Sequence, residues 1–324
     1  MPLRLIRAAN ASTAPPAATG NVARRSCAFV NNMPDGAFDA TERQFLGLLE
    51  AGVGSEEIEV RRYAVSGVPR GEKTAATIAD QYSPVIEIRR NPPDLLIVTG
   101  SNPLEANIED EPYWDELVEL LSWARGNVRS MLLSCLSAHA ALDYFDGLKR
   151  VHLESKCTGV FSQRVDTSHP LARGIEPEIL LPHSRWSTVE QDDLVSAGFA
   201  IAIQSPDIGW SVATRESEGS SMVLVQGHPE YDPSSLVREY RRDAGRYVRH
   251  ERDDLPCLPL HCVAPEDWEQ LEQLHRSIVD GRRDPVLVES YPFEEVGNRA
   301  PWTWRTMAQR LYANWLLQAT EAPD

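Results

Sequence analysis

The stretch Met131-Leu132-Leu133-Ser134-Cys135-Leu136-Ser137-Ala138-His139-Ala140-Ala141-Leu142 changes character at its middle. Met131 to Leu133 is a short apolar run of the kind that forms a buried strand, and the chain from Ser137 to about Phe145 reads as a helix. Cys135 stands at the junction. A strand–cysteine–helix turn would expose the thiol, and the helix N-terminus behind it would favour the thiolate. About ninety positions on, Val223-Leu224-Val225-Gln226-Gly227-His228-Pro229-Glu230-Tyr231 repeats the design: an apolar strand running into a polar tip. That tip carries an imidazole, with a carboxylate two positions on.

Working outward, Leu95-Leu96-Ile97-Val98 is a continuous apolar run closed by Thr99-Gly100-Ser101, as a buried parallel strand would be. Cys27 to Val30 reads as a strand ending at Asn31-Asn32-Met33-Pro34, and Ile58 and Val60 alternate with charges. Thr41 to Glu50 reads as a helix with Phe45, Leu46, Leu48 and Leu49 on its apolar face, Thr41 and Gln44 forming a capping box. Tyr113 to Ala124 places Trp114, Leu117, Val118, Leu121 and Ala124 at helical spacing. This alternation predicts an α/β fold: a doubly wound, mostly parallel sheet flanked by helices. Gly100, Cys135 and His228 then fall at carboxyl ends of strands, where such folds carry their chemistry. Trp302 to Gln318 predicts an aromatic amphipathic helix (Trp304, Met307, Leu311, Trp315), a C-terminal helical extension whose tryptophans serve packing.

Residues 1–24, rich in Ala, Pro, Ser and Thr, read as a disordered tail without the apolar core of a secretory signal. Residues 25–324 then form a single α/β domain, with a charged stretch at about 243–285 reading as an insertion. That stretch holds a helix-like segment from Trp268 to Val279. No run reaches the roughly 18 apolar residues of a membrane span. A net charge of -16 argues against nucleic acid or an anionic membrane as partner, while leaving room for a local basic pocket. Five irregularly spaced cysteines (Cys27, Cys135, Cys157, Cys257, Cys262) suit a reducing cytoplasm, which is the expected location. Cys257, His261 and Cys262 lack the second ligand pair of a zinc site, so no metal is expected.

The candidate chemistry is covalent acyl transfer. Cys135 is the nucleophile, His228 the base and Glu230 the group that orients it. The backbone N–H of Leu136, with one from the Gly100-Ser101 turn, would hold the oxyanion.

Further segments extend the pattern. They are Asn32-Met33-Pro34, Gln44-Phe45-Leu46, Asn91-Pro92-Pro93-Asp94 leading into Val98-Thr99-Gly100, and Tyr113-Trp114. Beyond the Cys135 turn come Lys156 with Gly159-Val160-Phe161, Pro182-His183-Ser184-Arg185, Gly227 to Asp232, Arg241-Arg242-Asp243, Trp304-Arg305 and Asn314-Trp315-Leu316. In these the chain, from about Asn31 to Gln318, resembles the homoserine O-acyltransferase (homoserine trans-succinylase) family, whose fold is similar to class I glutamine amidotransferases. It departs from the family pattern at Asp35-Gly36, Leu136, His139 and Met307-Ala308, where lysines, Trp, Gln and His-Gly are usual.

The resemblance implies an acyl-thioester on Cys135, made from acyl-CoA as co-substrate with no bound cofactor, and its transfer to L-homoserine by a ping-pong route in methionine biosynthesis. It implies that Lys156, Ser184 and Arg242 contact the amino acid, a guanidinium forking onto an α-carboxylate. A homodimer is the expected assembly. The position after the Thr-Gly turn is the implied donor selector, glycine admitting succinyl. Leu104 or Glu105 stands there, so acetyl is expected over succinyl on steric and like-charge grounds. Serine or another hydroxy-amino acid as acceptor, and a glutamine amidohydrolase using the same Cys and His-x-Glu, stay open as alternatives.

Overall fold

The computed structural model describes residues 3–6, 24–54, 56–217 and 219–319. The strands are β1 (Leu3–Ile6), β2 (Arg24–Val30), β3 (Glu57–Ala64), β4 (Ser83–Pro84), β5 (Leu95–Val98), β6 (Ser130–Ser134), β7 (Val151–Val165), β8 (Glu178–Thr188), β9 (Ala200–Ser205), β10 (Gly209–Ser217) and β11 (Ser220–Val225). The helices are α1 (Phe38–Gly52), α2 (Glu72–Gln81), α3 (Trp114–Ala124), α4 (Leu136–Asp146), α5 (Gln191–Ser196), α6 (Ser235–Val248), α7 (Pro265–Val279), α8 (Pro285–Glu289), α9 (Phe293–Arg299) and α10 (Arg305–Gln318).

All the strands join one sheet, in the order β1-β3-β2-β5-β6-β11-β10-β9-β7-β8, with β4 beside β3. From β1 to β11 every neighbour is parallel. This half is buried on both faces. Phe29, Ile97, Leu132 and Val223 face one layer with α1, α6 and α10; Ala28, Leu96, Met131 and Leu224 face the other with α3 and α4. Successive residues of a strand point to opposite faces, so a strand covered on both sides must be apolar throughout. That is why these strands are the ones the sequence shows plainly.

Beyond β11 the sheet turns antiparallel through β10, β9, β7 and β8. The sheet is therefore mixed, and the sequence pattern gave no sign of this half. The long strand β7 is half polar, with an irregular register against β8 between His152 and Cys157.

Three expectations need correction. Leu3–Ile6 is not a disordered tail but an edge strand, paired with Ile58 to Arg61 of β3; residues 7–23 lie outside the described residues. The capping box is absent: α1 begins at Phe38, three residues early, with no side-chain cap at Ala37. Thr41 and Gln44 are buried inside α1, and the Gln44 amide donates to Asp232 (3.1 Å) and Ser235 (2.9 Å), a tertiary contact in place of a local one. Residues 243–248 are the last turns of α6, not the start of an insertion.

After α6 the chain returns to the sheet. The Leu260 N–H donates to the Thr158 carbonyl (3.1 Å) and the Val160 N–H to the Leu260 carbonyl (2.8 Å), so Leu260 sits as a strand-like bridge beside β7. Gly159 makes this approach possible. Its φ is +147°, and a Cβ there would lie 2.6 Å from the Leu260 carbonyl oxygen. The Cys262 thiol is buried and donates to the Pro259 carbonyl, which gives it a packing role. No helix among the described residues is long and apolar enough to cross a membrane.

Candidate active site

β5, β6 and β11 lie side by side in parallel register, so their carboxyl ends present Gly100, Cys135 and His228 at one edge of the sheet. Cys135 has φ +50° and ψ -110°, a backbone conformation that costs a non-glycine residue of order 1–3 kcal/mol. Two constraints hold it there: its N–H donates to the Val225 carbonyl (2.7 Å), and its carbonyl accepts from His139 in the first turn of α4 (3.1 Å). The strain turns the half-buried thiol out of the strand while leaving it at the N-cap of α4. Leu136 is the first residue of that helix, so its N–H has no acceptor within the helix. A Cβ on Gly100 would lie 3.2 Å from the Cys135 Cβ and 3.5 Å from the Leu136 nitrogen. The Gly100-Ser101 turn thus packs directly against the thiol turn, and the bare glycine keeps the space beside the Leu136 amide open.

The His228 Nδ1–H donates to Glu230 Oε1 (2.8 Å), and both side chains are buried. Burial alone would strip the proton from this imidazole. The negative charge of Glu230 and the interaction with Cys135 outweigh burial and hold its pKa well above the usual histidine value. The imidazolium is therefore the favoured form. Pro229 sets the reach between His228 and Glu230, and the His228 N–H donates to the Pro182 carbonyl of β8 (2.8 Å), fixing the base to the antiparallel half of the sheet.

Cys135, His228 and Glu230 open onto a cavity of about 490 Å³ that also takes in Ser101, Leu136, Lys156, Ser184 and Arg242. Eight of the ten residues singled out in the sequence are thus brought together. Leu104 and Glu105 are not. Leu104 is 53 % exposed, and the two backbone N–H groups donate to Glu111 (2.8 and 3.1 Å), which turns this segment away from the cavity; Asn102 and Pro103 line it instead.

The sequence reading missed the centre of the cavity's far wall. Glu239, on α6, accepts from the Ser184 hydroxyl, from Lys156 Nζ (3.2 Å) and from the Tyr231 hydroxyl (2.5 Å). Burial opposes its charge, but Lys156, Ser184 and Tyr231 outweigh burial and hold its pKa down to about 2. Asp243, one turn on, receives Lys156 (3.5 Å) and the Arg242 Nε–H (2.9 Å). The Tyr231 ring stacks on His228, centroids 4.3 Å apart. Burial and the Glu239 charge keep the Tyr231 phenol protonated and donating. No local signal marks Glu239, and Asp243 enters the sequence reading only within Arg241-Arg242-Asp243 and at the start of the charged stretch, with no role. Only the packing of α6 against β7 and β8 gives them partners some 55 to 87 positions away in sequence.

His139, one of the departures from the family pattern, also borders the cavity. Its Nε2–H donates to the Gln226 side-chain oxygen (2.9 Å), and burial keeps its pKa down to about 4, so the ring is neutral. In all, the cavity wall carries seven cationic side chains (Arg150, Lys156, Arg185, Arg238, Arg242, Arg246 and Arg252) against three carboxylates, in a chain of net charge -16.

A sequence model of the homoserine O-succinyltransferase family matches residues 7–322. The homoserine O-succinyltransferase of Rhodopseudomonas palustris is 37 % identical over 294 residues, covering 91 % of this chain and 88 % of that protein. The homoserine O-succinyltransferase of Methylococcus capsulatus is 35 % identical over 309 residues, covering 95 % and 87 %. Among solved structures, a glutamine amidotransferase from Methylobacillus flagellatus superposes with a TM-score of 0.51 at 14 % identity, covering 94 % of this chain and 98 % of that one, a likeness of fold alone. Matched along nearly its whole length by the family and its curated members, the chain belongs to the homoserine O-succinyltransferase family and is an acyltransferase.

Proposed function

We propose that this acyltransferase carries an acyl group from acyl-CoA to the hydroxyl of L-homoserine, through a thioester on Cys135, in methionine biosynthesis. The observation that carries the reading is the meeting of two groups in one cavity: a strained thiol turn beside a carboxylate-oriented imidazole, and the Lys156–Ser184–Glu239–Arg242 cluster. The first suits covalent acyl chemistry. The second places opposite charges in the wall of the same cavity. An exposed guanidinium at Arg242 suits the α-carboxylate, and the ionised Glu239 suits the ammonium.

In the first half-reaction the Cys135 thiolate attacks the thioester carbonyl of the donor. The developing oxyanion is met by the N–H groups of Leu136 and Ser101. The carbon–sulfur bond to CoA breaks, and the imidazolium of His228 gives its proton to the departing thiolate. Neutral His228 then takes the proton of the homoserine hydroxyl as its oxygen attacks the acyl-thioester. Collapse releases O-acylhomoserine and restores the thiolate–imidazolium pair. Glu230 holds the ring through both transfers without itself changing protonation.

Succinyl is the donor this reading favours. The ground for acetyl was that Leu104 or Glu105 fills the donor space, and neither borders the cavity. The relatives' names specify succinyl transfer, and a cavity rich in arginine suits a donor ending in a carboxylate. Intact-mass spectrometry after mixing with succinyl-CoA tests the mechanism: one succinyl adduct is expected, absent in Cys135→Ala and discharged by homoserine. Acyl transfer surviving in Cys135→Ala would sink the reading. A parallel panel of acetyl-CoA and succinyl-CoA, each against homoserine and serine, decides the donor and the acceptor.

A further inference from the structure

Helix α6 faces the cavity with two rows of side chains at four-residue spacing. Ser235, Glu239 and Asp243 form the inner row, and Arg238, Arg242 and Arg246 the outer. The inner row is engaged in the hydrogen bonds and ion pairs of the far wall. The outer row stands at the mouth: 49 % of the Arg238 side chain and 40 % of the Arg242 side chain are accessible, and Arg246 is exposed. A four-residue step along a helix is about 6 Å, so the three guanidinium stems are spread over about 12 Å. Arg252, from the segment that follows α6, borders the same space; it pairs through Nε and one terminal nitrogen with Asp254, and its other terminal nitrogen reaches Asp243 (3.6 Å).

Like charges four residues apart oppose one another on a helix. An arginine in a last turn is ordinary complement to the helix dipole, which accounts for Arg246 alone and not for the row. Carboxylate partners account for it only in part. Arg238 has long contacts with Asp232 (3.6 Å) and the Ser235 hydroxyl (3.5 Å), Arg242 gives its Nε–H to Asp243 (2.9 Å), and Arg246 makes no ion pair among the described residues. Arg241, one position off the row, is used differently: its guanidinium lies over the Phe293 ring. The row is also out of keeping with a chain whose net charge is -16.

We propose that Arg238, Arg242 and Arg246, with Arg252, form a track for the phosphates of the acyl donor, so that the nucleotide end of the CoA lies along the outer row of α6 while its thioester reaches Cys135. The assignment rests on the acyl-CoA reading above. Guanidinium groups bind phosphate oxygens in forked pairs, and a row of them can hold phosphates that are several ångströms apart on one ligand. In a two-step reaction the CoA departs before the amino acid binds, so Arg242 can meet a donor phosphate first and the acceptor carboxylate second.

The test compares succinyl-CoA with S-succinyl-N-acetylcysteamine, a thioester without phosphates, in the unsubstituted protein and in Arg238→Ala and Arg246→Ala, which leave Arg242 in place. Each substitution is expected to lower kcat/KM for succinyl-CoA about tenfold, the scale of one charged hydrogen bond, and so to collapse the preference for the phosphorylated donor. Adenosine 3′,5′-bisphosphate is expected to compete with succinyl-CoA in the unsubstituted protein and to bind the variants more weakly. Equal losses with both donors, or no loss with either, would overturn the track while leaving acyl transfer standing. Transfer from neither donor in the unsubstituted protein would overturn the functional reading itself, and the track with it.

Discussion

The ring of Tyr231 lies nearly flat on that of His228, centroids 4.3 Å apart and planes 18° apart. The Tyr231 hydroxyl reaches in the other direction, to Glu239. One side chain thus links the imidazole proposed to move protons to the carboxylate proposed to meet the acceptor's ammonium.

Tyr231→Phe keeps the stacked ring and deletes only the hydroxyl. A hydrogen bond to a charged group contributes about 1.5–3 kcal/mol, so the second half-reaction should slow at least about tenfold at low homoserine. Formation of the acyl-enzyme, followed by rapid-quench mass spectrometry, should change little. An equal slowing of both half-reactions would show that the hydroxyl acts on His228 rather than on the acceptor.

Gly100→Ala adds a methyl group 3.2 Å from the Cys135 Cβ and close to the Leu136 amide. Loss of one oxyanion-hole donor typically costs about 10²–10³ in rate, and acylation should fall by about the lower figure. The melting temperature should move by only a few degrees, since the contact is tight but not overlapping. Near-normal acylation would mean that the oxyanion lies elsewhere.

Glu239 titrates near 2 when folded, below the roughly 4.5 of a free glutamate. The ionised carboxylate is thus favoured by folding. Its contribution is present above pH 4.5 and is lost as the pH falls toward 2. The shift corresponds to about 3 kcal/mol at most. Urea unfolding of the protein and of Glu239→Gln from pH 7 downward should show a stability difference that is constant to about pH 5 and shrinks below it. A difference independent of pH would contradict the assignment of the charge.

Gly159→Ala puts a Cβ 2.6 Å from the Leu260 carbonyl oxygen, at a φ that side chains rarely adopt. Strain of this kind costs about 1–3 kcal/mol, and the easiest relief is for Leu260 to leave β7. Limited proteolysis should then cut within 249–264 faster than in the unsubstituted protein, while β7 and β8 stay protected. Unaltered protection of that segment would show that the strand gives way instead.

The sequence made the parallel half of the fold legible because strands covered on both faces leave an unbroken apolar signature, as in Leu95 to Val98 and Met131 to Leu133. It made Cys135 legible because the change from strand to helix is itself written in the residues around it. β7 was hidden for the opposite reason: Glu154, Lys156 and Arg164 interrupt it, and their places are set by neighbours distant in sequence. The roles of Glu239 and Asp243 were hidden because these charges gain meaning only when β7 and β8 are laid against α6. Thr41 and Gln44 misled because α1 begins upstream of both, and Gln44 serves a contact with Asp232 and Ser235 in place of a local cap. Leu104 and Glu105 misled because proximity in sequence to the Gly100 turn did not carry into space.

β11 is bonded in parallel to β6 on one side and antiparallel to β10 on the other, and it delivers His228. The strand is a border within the molecule. The thiol and the N–H groups proposed for the oxyanion come from the parallel territory, and most of the residues proposed to contact the acceptor come from the hairpin β7–β8 and the helix α6 across the border. Only the imidazole serves both. On the proposed mechanism, the hairpin and the helix could be exchanged, and with them the alcohol that is acylated, while the Cys135 turn is kept unchanged.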